Sequence, residues 1–172
     1  GDVYKRQIGD TVIFLPFMKA LFKKFNSPIS ILVKENSKAN QYLHQTKYID
    51  KILTLERDNK TNNRHGGFFG IFKLANDLKK YKFDKIFIFN SSLRFNLVAK
   101  ISGIPQIYQY PLFAKNKQHI IEAPKKFLKE NLNLDINEDP EVQIDNDSIS
   151  KAAQKFQICL LYTSDAADDG SR

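Results

Sequence analysis

The sequence predicts an α/β fold, a parallel β-sheet with flanking helices. Three observations predict it. Short apolar, β-branched runs recur as ISILV (29–33), IDKILTL (49–55) and FDKIFIF (83–89), the look of strands covered on both faces. Between them lie stretches with three- and four-residue apolar spacing, which suits helices that bury one face. The small polar pair Gly9-Asp10 runs straight into such a helix. Strand and helix in alternation argue for right-handed crossovers in a parallel sheet.

Each element follows from its residues. Ile8 to Phe25 carries Val12, Leu15, Met18, Phe22 and Phe25 at helical steps, with Lys19, Lys23 and Lys24 among the rest. Asn26-Ser27-Pro28 breaks it before the first strand. Asn36 to Gln45, with Ala39, Tyr42 and Leu43, reads as a short helix, and Ile49 to Leu55 as the next strand. Glu56 to Gly67 is polar and reads as a mobile loop. Phe68 to Tyr81 is a helix with Phe68, Ile71, Phe72, Ala75 and Leu78 on one face. Lys79-Lys80 close it, well placed against the helix dipole. Phe83 to Phe89 is the strongest strand. Asn90-Ser91-Ser92 then turns into a helix from Leu93 to Ser102, with Gly103 as its C-cap and Pro105 barring continuation. Gln106 to Tyr110 reads as a strand. Asn116 to Leu132 reads as a helix with Pro124 at a kink or start. Asn133 to Asp147 is polar and acidic, and Asp147-Ser148 can cap a last helix to Gln157. A Gly-Asp helix entry should itself follow a strand, so a first strand is expected to be missing.

The ends have a different origin. Asp2 to Gln7 (DVYKRQ) is what GAT GTG TAT AAG AGA CAG encodes. The reverse complement of that DNA, shifted by one base, encodes Cys159 to Ser164 (CLLYTS). Residues 1–7 and 158–172 therefore read as a sequencing adaptor carried into a gene fragment, and they are set aside. The native part is expected to divide into a domain over 8–132 and a linker with a helix over 133–157.

The 27 basic and 19 acidic residues give a net charge of +8. Without the two ends the excess is one charge larger, and the single cysteine, Cys159, is gone. That excludes disulfide and thiolate chemistry from the native part. The native length suffices to bury roughly 70% of the unfolded surface in one domain. No apolar run approaches the ~20 residues of a membrane span. The positive excess suits an anionic partner: nucleic acid, a phosphorylated sugar or a membrane face.

Few residues carry chemistry. Asp10 is either an N-cap, accepting from free backbone N–H groups, or a carboxylate at the sheet edge where open α/β sheets place ligands. Gly9 would allow close approach of backbone and substrate. Thr11 lines the same position or simply starts the helix. Arg94 lies past a strand's carboxyl end near a helix N-terminus, where a guanidinium can grip phosphate or carboxylate, or it is a solvated arginine. His44, His65 and His119 lack metal-ligand spacing, so no metal is expected. Arg64 to Gly67 lacks the Lys-Ser/Thr ending of a phosphate loop. Asp50 and Asp84 sit at strand starts, away from the ligand edge. Tyr108 and Tyr110 are read as packing residues rather than cleft lining.

The order GDTVIFLPFMKALFKKF, PISILVKENSKANQYL, YIDKILTL and LKKYKFDKIFIFNSSLRFNLVAKISGIPQIYQY resembles the N-terminal domain of glycosyltransferase family 9, the ADP-heptose–lipopolysaccharide heptosyltransferases. The Gly-Asp-x5-Pro helix and the later strand–Ser-Leu-Arg–helix carry the likeness together. It implies a Rossmann-like domain, the N-terminal half of a GT-B fold with its first strand missing, in a gene fragment. It implies an inverting enzyme that moves heptose from ADP-heptose to the anionic lipopolysaccharide inner core, with Asp10 as the base. Gly9, Thr11 and Arg94 would bind substrate. It implies no cofactor, a nucleotide sugar bound by a domain not in this chain, and a fragment inactive alone. The implied location is cytoplasmic, peripheral at the inner membrane. One rival keeps the fold but changes the nucleotide sugar or uses a protein acceptor. The other is a non-catalytic basic module binding nucleic acid through lysines and stacking aromatics.

Overall fold

The computed structural model describes residues 11–57, 63–111, 120–142 and 150. The expected last helix and both adaptor-like ends lie outside them. The order is α1 (Leu15–Phe25), β1 (Ile29–Lys34), a 3-10 turn (Glu35–Ser37), α2 (Ala39–Tyr42), β2 (Ile49–Leu55), α3 (Phe69–Lys79), β3 (Lys85–Ile88), α4 (Leu93–Ile101), β4 (Gln106–Gln109) and α5 (Glu122–Leu132). Residues 11–13, ahead of α1, are helical as well.

All strand pairing is parallel. β1 pairs with β2, Ile31 opposite Ile52, and β3 with β4, Phe87 opposite Tyr108. The strands form two two-stranded sheets, and among the described residues no strand links one pair to the other. Side-chain packing joins them instead. Phe14 meets Phe89 beyond β3 at 5.1 Å, and Phe25 meets Phe87 at 6.0 Å. Leu15 of the same helix packs with Ile31, Ala39 and Leu43 beside β1. One helix therefore lies across both half-sheets.

Alternation along β1 shows why the strand is apolar throughout. Ile29, Ile31 and Val33 join the cluster with α1, whereas Leu32 joins the cluster formed with α3. The sheet thus has helices on both faces. Helices α1 and α5 meet through Phe17, Leu21, Phe127 and Leu128, and Leu74, Leu78 and Val98 join α3 and α4 on the other side.

Two helical faces differ from expectation. In α1 the deeply buried residues are Leu15, Pro16, Phe17 and Leu21, while Met18 and Phe22 are only half-buried. A helix pressed between two half-sheets buries two stripes, where periodicity alone suggests one. In α3 the buried face is Gly70, Ile71, Leu74, Ala75 and Leu78, and Phe68 and Phe72 face outward. Phenylalanine at helical spacing raised the apparent width of that face. The C-cap reading holds at Gly103, whose φ of +76° lies in the left-handed region that favours glycine. Helix α5 starts at Glu122, with Pro124 in its first turn, where a missing N–H costs nothing.

Candidate functional site

Parallel strands put all their carboxyl ends on one edge. Here that edge is built from the segments after Lys34, Leu55, Ile88 and Gln109. α1 runs back against β1, so the residues leading into it arrive at the same edge. Open parallel sheets bind ligands at this rim, because loops and helix N-termini converge there.

Gly9 and Asp10 lie outside the described residues. Their neighbour Thr11 is half-buried and belongs to the helical turn before α1. It sits by Tyr42 of α2. Burial pushes the Tyr42 phenol up, and the Thr11 side chain pulls it partly back.

Arg94 stands at the first turn of α4, as expected, but its surroundings are specific. Its guanidinium donates to the carbonyl of Gly67 at 2.7 Å and to the carbonyl of His65. It thereby ties the loop after β2 to the helix after β3. A forked cation suits this because two carbonyls must be met at once.

The loop itself is built, not slack, and this corrects the mobile-loop reading for its described part. His65 is buried, with 4% of its surface exposed. Its Nδ1 accepts the backbone N–H of Glu56 at 3.0 Å, and its Nε2 lies 3.2 Å from Asp77 Oδ2. The accepting Nδ1 leaves the proton on Nε2, which then donates to Asp77. Arg64 and Lys80 also reach the Asp77 carboxylate, at 2.7 and 3.0 Å. Burial alone would push the Asp77 carboxyl up. Hydrogen bonds from Lys80 and His65, with the charges of Arg64 and Lys80, outweigh it and hold the group below the ordinary carboxylate range. The signal for this anchor was a histidine between an arginine and two glycines, with one acid on the next helix. Only the fold reveals that they meet.

A second network fixes the turn after β3. Asn90 Oδ1 accepts the N–H of Ser92 at 2.7 Å, an Asx turn. The Gln109 amide donates to the carbonyls of Asn90 and Ser92, and Asn96 donates to its oxygen at 2.7 Å. The rim between α4 and β4 is therefore held rigid by side-chain amides that carry no charge.

Other candidates fall away from the rim. Asp84 caps the amino end of the β3–β4 pair, its carbonyl accepting from Gln106. Tyr108 stacks on Phe87 at 4.8 Å, and Tyr110 packs edge-on against Phe127 at 5.0 Å, its phenol pushed up by burial. His44 is exposed, and His119 lies outside the described residues. Among the described residues no group of three or more metal-ligating side chains is assembled. A groove lined by Ala20, Lys23, Lys24, Ile136 and Glu138 lies at the opposite end of α1, remote from this edge.

No family model and no curated protein matches the sequence. The fold is similar to the crystal structure of a glycosyl transferase family 9 protein from Veillonella parvula DSM 2008. The TM-score is 0.67 at 17% identity, over 87% of this chain and 46% of that one. The likeness shows the fold, a parallel α/β unit of the kind found in that GT-B protein. The chain spans less than half the length of the solved protein.

Proposed function

We propose that this chain is the acceptor-binding half of an inverting glycosyltransferase. One observation supports the reading above the rest. The order of motifs that resembles family 9 falls on a fold similar to a solved family 9 protein, over 87% of the chain. In such a fold a Gly-Asp pair leading into the first helix delivers a carboxylate to the ligand edge.

The chemistry asks little more of this half. The acceptor hydroxyl oxygen attacks the anomeric carbon as the bond to the nucleoside diphosphate breaks. A base must take the hydroxyl proton, and Asp10 is our candidate. A carboxylate at a semi-enclosed rim does this best when burial raises its affinity for the proton. Gly9 and Thr11 would line the acceptor beside it. Arg94 would act at an anionic acceptor group, or through the loop that it already holds. The nucleotide sugar would be held by a second domain, so the chain alone should not turn over.

At the finer level the donor would be ADP-heptose and the acceptor the lipopolysaccharide inner core. Another nucleotide sugar or a protein acceptor fits the same half-fold. Nucleic acid is the weaker reading, since Tyr108 and Tyr110 are spent in packing and offer the sheet no stacking platform.

Calorimetric titration of the chain tests the proposal. A Kdo-bearing inner-core acceptor should bind saturably, while ADP-heptose alone should not bind. Turnover by the isolated chain, or failure of every anionic glycan acceptor to bind, would count against it.

A further inference from the structure

The outer faces of α3 and α4 carry an apolar surface that nothing in the described structure covers. Phe68, Phe69 and Phe72 are 69%, 78% and 49% exposed at the start of α3. Leu93, Leu97 and Ile101 form an exposed ridge at successive four-residue steps along α4. The two helices are neighbours, packed through Ile71, Leu74 and Val98. Arg94 draws their first turns together through the Gly67 carbonyl, one residue from Phe68. Single exposed apolar side chains are ordinary, but six large ones gathered on two adjoining helices mark an interaction surface.

Charge says what the surface meets. α3 and α4 expose Lys73, Lys79, Lys80 and Lys100. The only acid in either helix is Asp77, already engaged by Arg64, His65 and Lys80. A second copy laid on this face would bring lysine against lysine. An anionic partner would be attracted.

The kind of apolar group narrows the partner further. Bases are held by aromatic planes left open for stacking. Here Phe68 packs edge-on against both Phe69 and Phe72, at interplanar angles of 78° and 70°, and the ridge beside them is aliphatic. Phenylalanine and leucine flanked by lysines suit the boundary of headgroups and acyl chains instead. We infer that the outer face of α3 and α4 is a docking surface for an anionic phospholipid bilayer. It gives the peripheral association expected from the resemblance a definite place. It stands or falls independently of the sugar-transfer reading, since vesicle binding needs no catalysis.

Flotation of the full chain with vesicles tests it. Phosphatidylcholine vesicles containing phosphatidylglycerol should carry the protein at low salt, and pure phosphatidylcholine vesicles should carry far less. A Phe68→Ser/Phe69→Ser/Phe72→Ser variant should lose at least about tenfold in partitioning, given the transfer free energy of exposed phenyl groups. Lys73→Glu with Lys100→Glu should weaken binding and flatten its salt dependence. Both variants change exposed side chains, and thermal melts should show them folded. Three results would overturn the inference. One is equal partitioning of the phenylalanine variant. Another is a phenylalanine-dependent dimer in sedimentation that does not bind vesicles. The third is phenylalanine-dependent binding of a single-stranded oligonucleotide in preference to vesicles.

Discussion

Gly70 sits inside α3, where alanine would ordinarily be favoured by about 1 kcal/mol. A Cβ there would lie 2.2 Å from the His65 backbone carbon and 2.3 Å from its carbonyl oxygen. Backbone cannot give way as a side chain tip can, so the clash outweighs the propensity. Gly70→Ala should therefore destabilise the chain by about 1–3 kcal/mol in urea melts. Arg94→Lys should also cost about 1–3 kcal/mol, because an ammonium cannot serve both carbonyls in the fork geometry. Asp77 sets a pH dependence of known sign. Its carboxyl is held below its ordinary value in the folded state. It therefore adds stability that is present above the unfolded carboxylate range and is lost as pH falls through the folded value. Asp77→Asn should flatten that acid limb, measured as melting temperature against pH. None of these roles was legible in the sequence. Each depends on a loop and a helix meeting across a turn, and single-residue type says nothing of that.

At the scale of elements the chain was largely readable. Strands declared themselves by continuous β-branched runs, because both faces of the sheet are covered. Gly103 and Pro105 marked the end of α4 by backbone chemistry alone. Helical faces were read less well. Spacing assigned Phe68 and Phe72 to the core of α3, but the core took Leu74 and left them outside. Spacing reports that a face is apolar and cannot say what lies opposite it. Paired substitutions make the difference measurable. Leu74→Ala, at a site 1% exposed, should cost about 2–5 kcal/mol. Phe72→Ser should stay within about 0.5 kcal/mol of the parent, as exposed positions do. Equal costs would mean that the face has been assigned wrongly.

For the molecule as a whole, two parallel half-sheets are held together by helices packed on both faces. α1 spans them with phenylalanines and leucines. Its leading turn comes to the carboxyl rim, where the β2 loop and the β3 turn are each fastened by polar side chains. No helix among the described residues is long and apolar enough to cross a membrane. Any lipid contact would therefore be made by a surface, and α3 with α4 offers one. The fold class was legible from the alternation of elements, and the rim's position follows from parallel strands. What the rim does rests on a carboxylate that sequence pattern supplies and packing does not explain. The most direct test is transfer by the intact two-domain enzyme carrying Asp10→Asn. The account predicts a loss of about 10²–10⁴-fold in transfer, with acceptor affinity nearly unchanged. Transfer at the parent rate would contradict it.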